Sequence, residues 1–152
     1  MPCSFVNEEK MLPKQPPQNQ LSLNGLRVLV VDDNEDSLCL ATFIFEECQA
    51  KTKTATSVDN AIQVIEEWKP DIVISDILMP DKDGYSLIRF LRDKEAKAGG
   101  FIPAVALTSY VCPEMFSTAM DAGFQKIILK PFEFDELIAV AAQLTYAHRP
   151  AH

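Results

Sequence analysis

The chain has 152 residues, enough for one domain with a sizeable core, and 47% hydrophobic residues give it a globular composition and not a disordered one. With 14 Lys and Arg against 22 Asp and Glu its net charge is −8, which argues against binding phosphate backbones and points to proteins or small ions as partners. Four cysteines (Cys3, Cys39, Cys48, Cys112) without CxxC or other metal spacing argue against a zinc site and predict buried free thiols in a reducing cytoplasm. No signal peptide and no apolar run of about 18 residues is seen, so membrane insertion is not expected.

Residues 1–24 carry Pro2, Pro13, Pro16 and Pro17 and the stretch "KQPPQNQLSLN", the composition of a tail or linker. "LRVLVV" (26–31) predicts a first strand. A helix follows at about 36–49, with Leu38, Ala41, Phe45 and Cys48 on one face. "KTKTA" (51–55) alternates Lys and Thr as an edge strand does, its charges discouraging pairing with other chains. A second helix near 58–68 carries Val58, Ala61, Ile62 and Ile65 on one stripe, and "DIVIS" (71–75) predicts a central strand. "DILMPDKDG" is a loop in which Pro80 stops the strand, leading to a helix at 84–97 that "KAGG" ends. "IPAVALT" (102–108) predicts the fourth strand. A helix at 113–122 begins with Pro113 and ends before Gly123. "FQKIIL" (124–129) predicts the fifth strand. A helix at 133–146 places Phe134, Leu137, Ile138, Ala141 and Leu144 on one face, and 148–152 is a polar tail holding both histidines. Strands alternating with helices imply an α/β fold, a parallel sheet covered on both faces.

In such sheets ligands gather at the C-terminal ends of the strands. There the first strand ends in Asp32 and Asp33, the third in Asp76, the fourth in Thr108 and Ser109, and the fifth in Lys130 followed by Pro131. Clustered carboxylates repel unless a cation sits among them, and oxygen donors suit Mg²⁺ (or Mn²⁺). One carboxylate could then attack phosphorus, while Lys130 and the metal neutralise the phosphoryl oxygens and Thr108 donates to one of them.

Taken together, "VLVVDDNEDS", "DIVISDILMPDKDG", "VALTS" and "ILKPF" resemble the receiver domain of two-component response regulators over about residues 25–147. The resemblance implies a flavodoxin-like, doubly wound sheet of order 2-1-3-4-5. It implies Asp76 as phosphoacceptor. The metal ligands would be Asp33, Asp76 and the backbone carbonyl of Leu78, with Asp32 acting indirectly. Thr108, Ser109 and Lys130 would meet the phosphate, and the Lys130–Pro131 peptide would be cis. A histidine kinase or histidine phosphotransfer protein would supply the phosphoryl group beside the first helix. An unknown downstream protein would read a face spanning about 112–146, and pairing with a second copy stays open. Self-catalysed transfer and autodephosphorylation are the chemistry implied, with no other enzymatic activity.

The sequence departs from the family at Ile127, where an aromatic residue often stands three positions before the lysine. Ile127 is expected to be a strand residue packed under the last helix. The alternative is that the family's relay from the Thr108 hydroxyl to that aromatic is altered here, with activation read through backbone shifts of residues 108–114 and Tyr110 taking part of the role. No histidine is expected in the folded region, so the chain receives phosphoryl groups and does not donate them. No output domain is expected after residue 147, although the tail also resembles the linker before a receiver in a hybrid kinase, and Met1 favours a free-standing protein. Two other readings of the sequence stand beside this one: a phosphorylation-independent interaction module on the same fold, and a metal-dependent phosphatase. Asp32, Asp33, Asp76, Thr108 and Lys130 together argue against the first, and the lack of a general acid against the second.

Overall fold

A computed structural model describes residues 23–79, 83–110 and 112–148. Its elements are β1 (Arg27–Val31), α1 (Glu35–Glu47), β2 (Lys51–Ala55), α2 (Val58–Trp68), β3 (Ile72–Asp76), α3 (Gly84–Ala98), β4 (Ala104–Thr108), α4 (Pro113–Ala122), β5 (Lys126–Leu129) and α5 (Phe134–His148). All strand pairs are parallel and the order is β2-β1-β3-β4-β5, the expected 2-1-3-4-5. β2 is an edge strand, as its Lys–Thr alternation implied, and β3 lies at the centre. No helix among the described residues is long and apolar enough to cross a membrane.

The core lies in two layers because successive strand residues point to opposite faces. On one face Val28, Val30, Ile72, Ile74, Val105, Leu107 and Ile128 meet Leu38, Ala41, Ile44 and Phe45 of α1 and Leu137, Ile138, Ala141 and Leu144 of α5. On the other, Leu29, Val31, Val73, Ala104 and Ala106 meet α2, α3 and α4 through Val58, Ala61, Ile65, Leu87, Ile88, Leu91 and Ala119. With both faces covered, β3 and β4 are buried at all five positions each, which is why they read as unbroken apolar runs.

Several boundaries move for identifiable reasons. Leu23 is fully buried in the first core layer and its carbonyl accepts from Leu26 N, so the fold begins two residues inside the expected tail. β4 starts after Pro103, whose carbonyl still accepts from Val73 N but which has no amide to give. β5 starts at Lys126 because Phe124 N donates back to Ala119 O and closes α4. α5 runs on to His148, so one histidine belongs to the folded region after all.

Some side-chain expectations fail as well. Cys39 is exposed, and Cys48 and Cys112 are only half-buried, so the described thiols are not core residues. Leu38 and Ile44 occupy the buried face of α1, while Cys48 and Cys112 are helix caps. Phe134 is 42% exposed at the first position of α5, since periodicity identifies a face but not where its cover stops. Ile127 packs with the α2–α4 layer and not beneath α5, because its neighbour Ile128 takes the α5 side. Cys3, Pro80 and His152 lie outside the described residues.

Leu107 is fully buried in β4 beneath α1 and α5. Leu107→Ala is expected to cost about 2–5 kcal/mol of stability, read from the urea midpoint at constant m.

Candidate functional site

β1 and β3 are neighbours, and their register pairs Val31 with Ser75. One step further along each strand come Asp32 and Asp76, so the backbone pairing itself brings two carboxylates together. Asp32 is wholly buried and Asp76 is 8% exposed, while Asp33 turns outward. Carboxylate oxygens of Asp32, Asp33 and Asp76 all lie within 4.8 Å of one another.

Each of these groups is held from its own element. Asn34 ends the approach by capping α1, its side chain accepting from Ser37 N at 2.9 Å, while its own N–H donates to Asp32 Oδ1 at 2.9 Å. Leu78 N donates to Asp76 Oδ1 at 3.3 Å, and the fully buried Ser75 hydroxyl donates to the Asp76 carbonyl at 2.9 Å. Lys130, at the end of β5, donates to Asp32 Oδ2 at 2.6 Å and lies 3.5 Å from Asp76 Oδ2. The Lys130–Pro131 peptide is cis, as the motif implied.

The electrostatics follow from crowding. Burial pushes the Asp76 carboxyl from an ordinary 3.8 up to about 6; the charge of Asp32 adds to the rise, and Lys130 and the Leu78 N–H oppose it. One ammonium thus faces two buried carboxylates with a third beside them. Three hard oxygen donors so close together suit a divalent cation of the Mg²⁺ type, which takes few protein carboxylates and completes its shell with other oxygens.

The remaining expected residues divide. Thr108 is fully buried, its hydroxyl donating to the Tyr110 carbonyl at 2.9 Å and accepting from Tyr110 N at 3.3 Å. The Tyr110 side chain itself is 64% exposed, so main chain and not ring meets Thr108. Ser109 is exposed and lines a groove of about 330 Å³ with Leu40, Lys130 and Phe132. Ile127 stays in the apolar layer beside α4.

Reasoning from sequence missed Ser75 and Gly84. A Cβ on Gly84 would stand 2.4 Å from the Asp76 carbonyl oxygen and 3.0 Å from Ile77 Cα. The start of α3 therefore presses directly on the backbone of Asp76, closed by a Gly84 N to Ile77 O bond of 2.8 Å. The "DG" pair was a visible signal: Asp83 caps α3 by accepting from Ser86 N, and the next residue must lack a side chain. Gly84→Ala is expected to destabilise by about 1–3 kcal/mol in urea unfolding and to broaden the amide resonances around Asp76.

A raised carboxyl pKa means the folded chain binds the proton more tightly than the unfolded chain. Stability is therefore lost as pH rises from 3.8 through about 6, and the full penalty stands above that. In EDTA, Asp76→Asn should raise stability at pH 7.5 by an amount on the order of 2–3 kcal/mol and change it little at pH 4. Equal effects at both pH values in urea titrations are the contrary result.

A model of the response regulator receiver domain matches residues 28–142. The chain is 34% identical over 129 residues to an uncharacterized 14.6 kDa protein of Leptolyngbya boryana, covering 85% of this chain and 97% of that one. It is 33% identical over 125 residues to hybrid signal transduction histidine kinase D of Dictyostelium discoideum, covering 78% of this chain but only 8% of the kinase. It is 30% identical over 115 residues to the two-component response regulator ARR10 of Arabidopsis thaliana, covering 74% of this chain and 20% of that protein. Among solved structures, the signal receiver domain of a histidine kinase from Syntrophus aciditrophicus superposes with a TM-score of 0.74 at 26% identity, over 84% of this chain and 96% of that one. A two-component response regulator from Clostridium difficile shares the fold at 21% identity with a TM-score of 0.75, over 82% of this chain and 99% of that one. The chain belongs to the response regulator receiver domain family of two-component systems, a signalling domain and not an enzyme of the usual kind.

Proposed function

We propose that this receiver accepts a phosphoryl group on Asp76 from the phosphohistidine of a kinase or phosphotransfer protein. The observation that carries the proposal is the cluster of Asp32, Asp33 and Asp76 within 4.8 Å with Lys130 reaching in at 2.6 and 3.5 Å. Asp76 is the apt nucleophile because it stands at the rim, 8% exposed, while Asp32 is wholly buried and tied to Lys130. An oxygen of Asp76 attacks phosphorus, the bond from phosphorus to the donor imidazole breaks, and the ring nitrogen leaves with the electron pair. Lys130 offers a point charge to one phosphoryl oxygen, and Thr108 can turn its hydroxyl toward another.

Asp33, Asp76 and the Leu78 carbonyl are the residues we assign to Mg²⁺ or Mn²⁺, with Asp32 acting indirectly. Bound there, the cation supplies neutralising charge to the phosphoryl oxygens. Water attacks the same phosphorus, the bond from phosphorus to the Asp76 oxygen breaks and inorganic phosphate leaves, so Asp76 returns to its carboxylate and the domain resets itself. The exposed Leu40 (46%) of α1, which lines the groove with Lys130 and Phe132, and the exposed Phe43 (57%) on the same helix support docking of the donor along α1. Exposed Phe116, Leu129 and Phe134 support a downstream protein reading the α4–β5–α5 face. A cytoplasmic setting fits such partners.

Incubated with Mg²⁺ and acetyl phosphate, the full chain is expected to gain the mass of one phosphoryl group. Asp76→Asn should gain none, and EDTA should abolish the gain in the parent chain. An adduct of equal yield in Asp76→Asn overturns the assignment.

A further inference from the structure

Thr108 has one hydroxyl proton and more than one acceptor within reach. In the structure that proton goes to the Tyr110 carbonyl at 2.9 Å, and the same oxygen lies 3.7 Å from Met115 Sδ. Met115 sits in the first turn of α4, where the N-cap residue Cys112 makes no side-chain capping bond. In that turn the Glu114 carboxylate accepts from its own backbone N–H and from Cys112, and Met115 packs half-buried against the α2–α4 layer. Met115 and Ile127 are both half-buried side chains against the same apolar layer. The two differ in freedom. Ile127 is branched at Cβ and stiff at χ1. Met115 is unbranched, has three rotatable bonds and carries a polarisable sulfur.

We propose that Met115 is the positioning residue through which the state of the Thr108 hydroxyl reaches α4, a task for which Ile127 lacks side-chain freedom. The inference rests on the phosphoacceptor reading of Asp76. When the Thr108 hydroxyl turns to a phosphoryl oxygen, the Tyr110 carbonyl loses its donor and the Met115 sulfur loses its polar neighbour. Met115 then takes another rotamer and the first turn of α4 shifts with it. The next residue, Phe116, is 49% exposed and Tyr110 is 64% exposed, so the shift emerges on the surface. Thr108 thus reports to the outside through a methionine on α4 and not through a side chain on β5.

The test separates uptake from response. The full chain and its variants are treated with Mg²⁺ and acetyl phosphate, uptake is followed by intact mass, and the response by hydrogen exchange of amides 114–118. Met115→Leu keeps the volume but removes sulfur and reach. It should take up phosphoryl groups within twofold of the parent while its α4 response falls at least threefold. Met115→Gln keeps an unbranched chain with an acceptor at its end, and should retain more than half of the parent response even if the Leu variant proves unstable. A parent-sized response in Met115→Leu overturns the inference, as does an equal loss in both variants, a parallel loss of uptake, or an α4 segment that fails to respond in the parent. No adduct in the parent chain overturns the phosphoacceptor reading beneath it, a result distinct from all of these.

Discussion

Two carboxylates at neighbouring strand ends, brought together by backbone pairing, are the constraint around which the rest of this domain is arranged. The β1–β3 register leaves Asp32 and Asp76 side by side once Val31 and Ser75 are paired. Neither can retreat without breaking a ladder that is buried on both faces. Removing such charges from water is costly, and a single ammonium between them offsets only part of the cost. The raised Asp76 pKa records what remains. A cation is the most direct way to relieve it, and a carboxylate with such a need is suited to chemistry that depends on a metal.

The surrounding chain tightens the same point from several sides. Ser75 and Leu78 fix the carbonyl and carboxylate of Asp76, and Gly84 lets α3 begin against its backbone. Lys130 crosses from β5, with β4 lying between it and β3. Because these groups stand at strand ends rather than along a mobile loop, their mutual placement is inherited from the sheet. After β4 the buried Thr108 hydroxyl bonds to the Tyr110 carbonyl, and the N-cap residue of α4, Cys112, makes no side-chain capping bond.

Much of the fold could be read from residue pattern. Apolar runs named the strands, three-and-four spacing named the helical faces, and Lys51 and Lys53 marked the edge. The errors share a cause. Phe134 and Cys39 lie on helices whose periodicity is clear, yet exposure depends on which neighbours cover each turn. Ile127 went to the α4 side because alternation along β5 is absolute only once its register is known. Leu23 looked like tail because one buried leucine after a proline-rich stretch has no local signal.

The residue types of the site, and their positions at the ends of apolar runs, were determined by sequence alone: Asp32, Asp33, Asp76, Thr108 and Lys130 need no coordinates to be singled out. Local pattern reaches that far because strand ends are defined by a change of polarity along the chain. What only the tertiary structure decided is how those groups meet. The 2.6 Å contact from Lys130 to Asp32, the pressure of Gly84 on the Asp76 carbonyl and the approach of Met115 to Thr108 all depend on elements set against one another in space. Such contacts arise from packing between layers, and a linear pattern carries no measure of the distance between two faces.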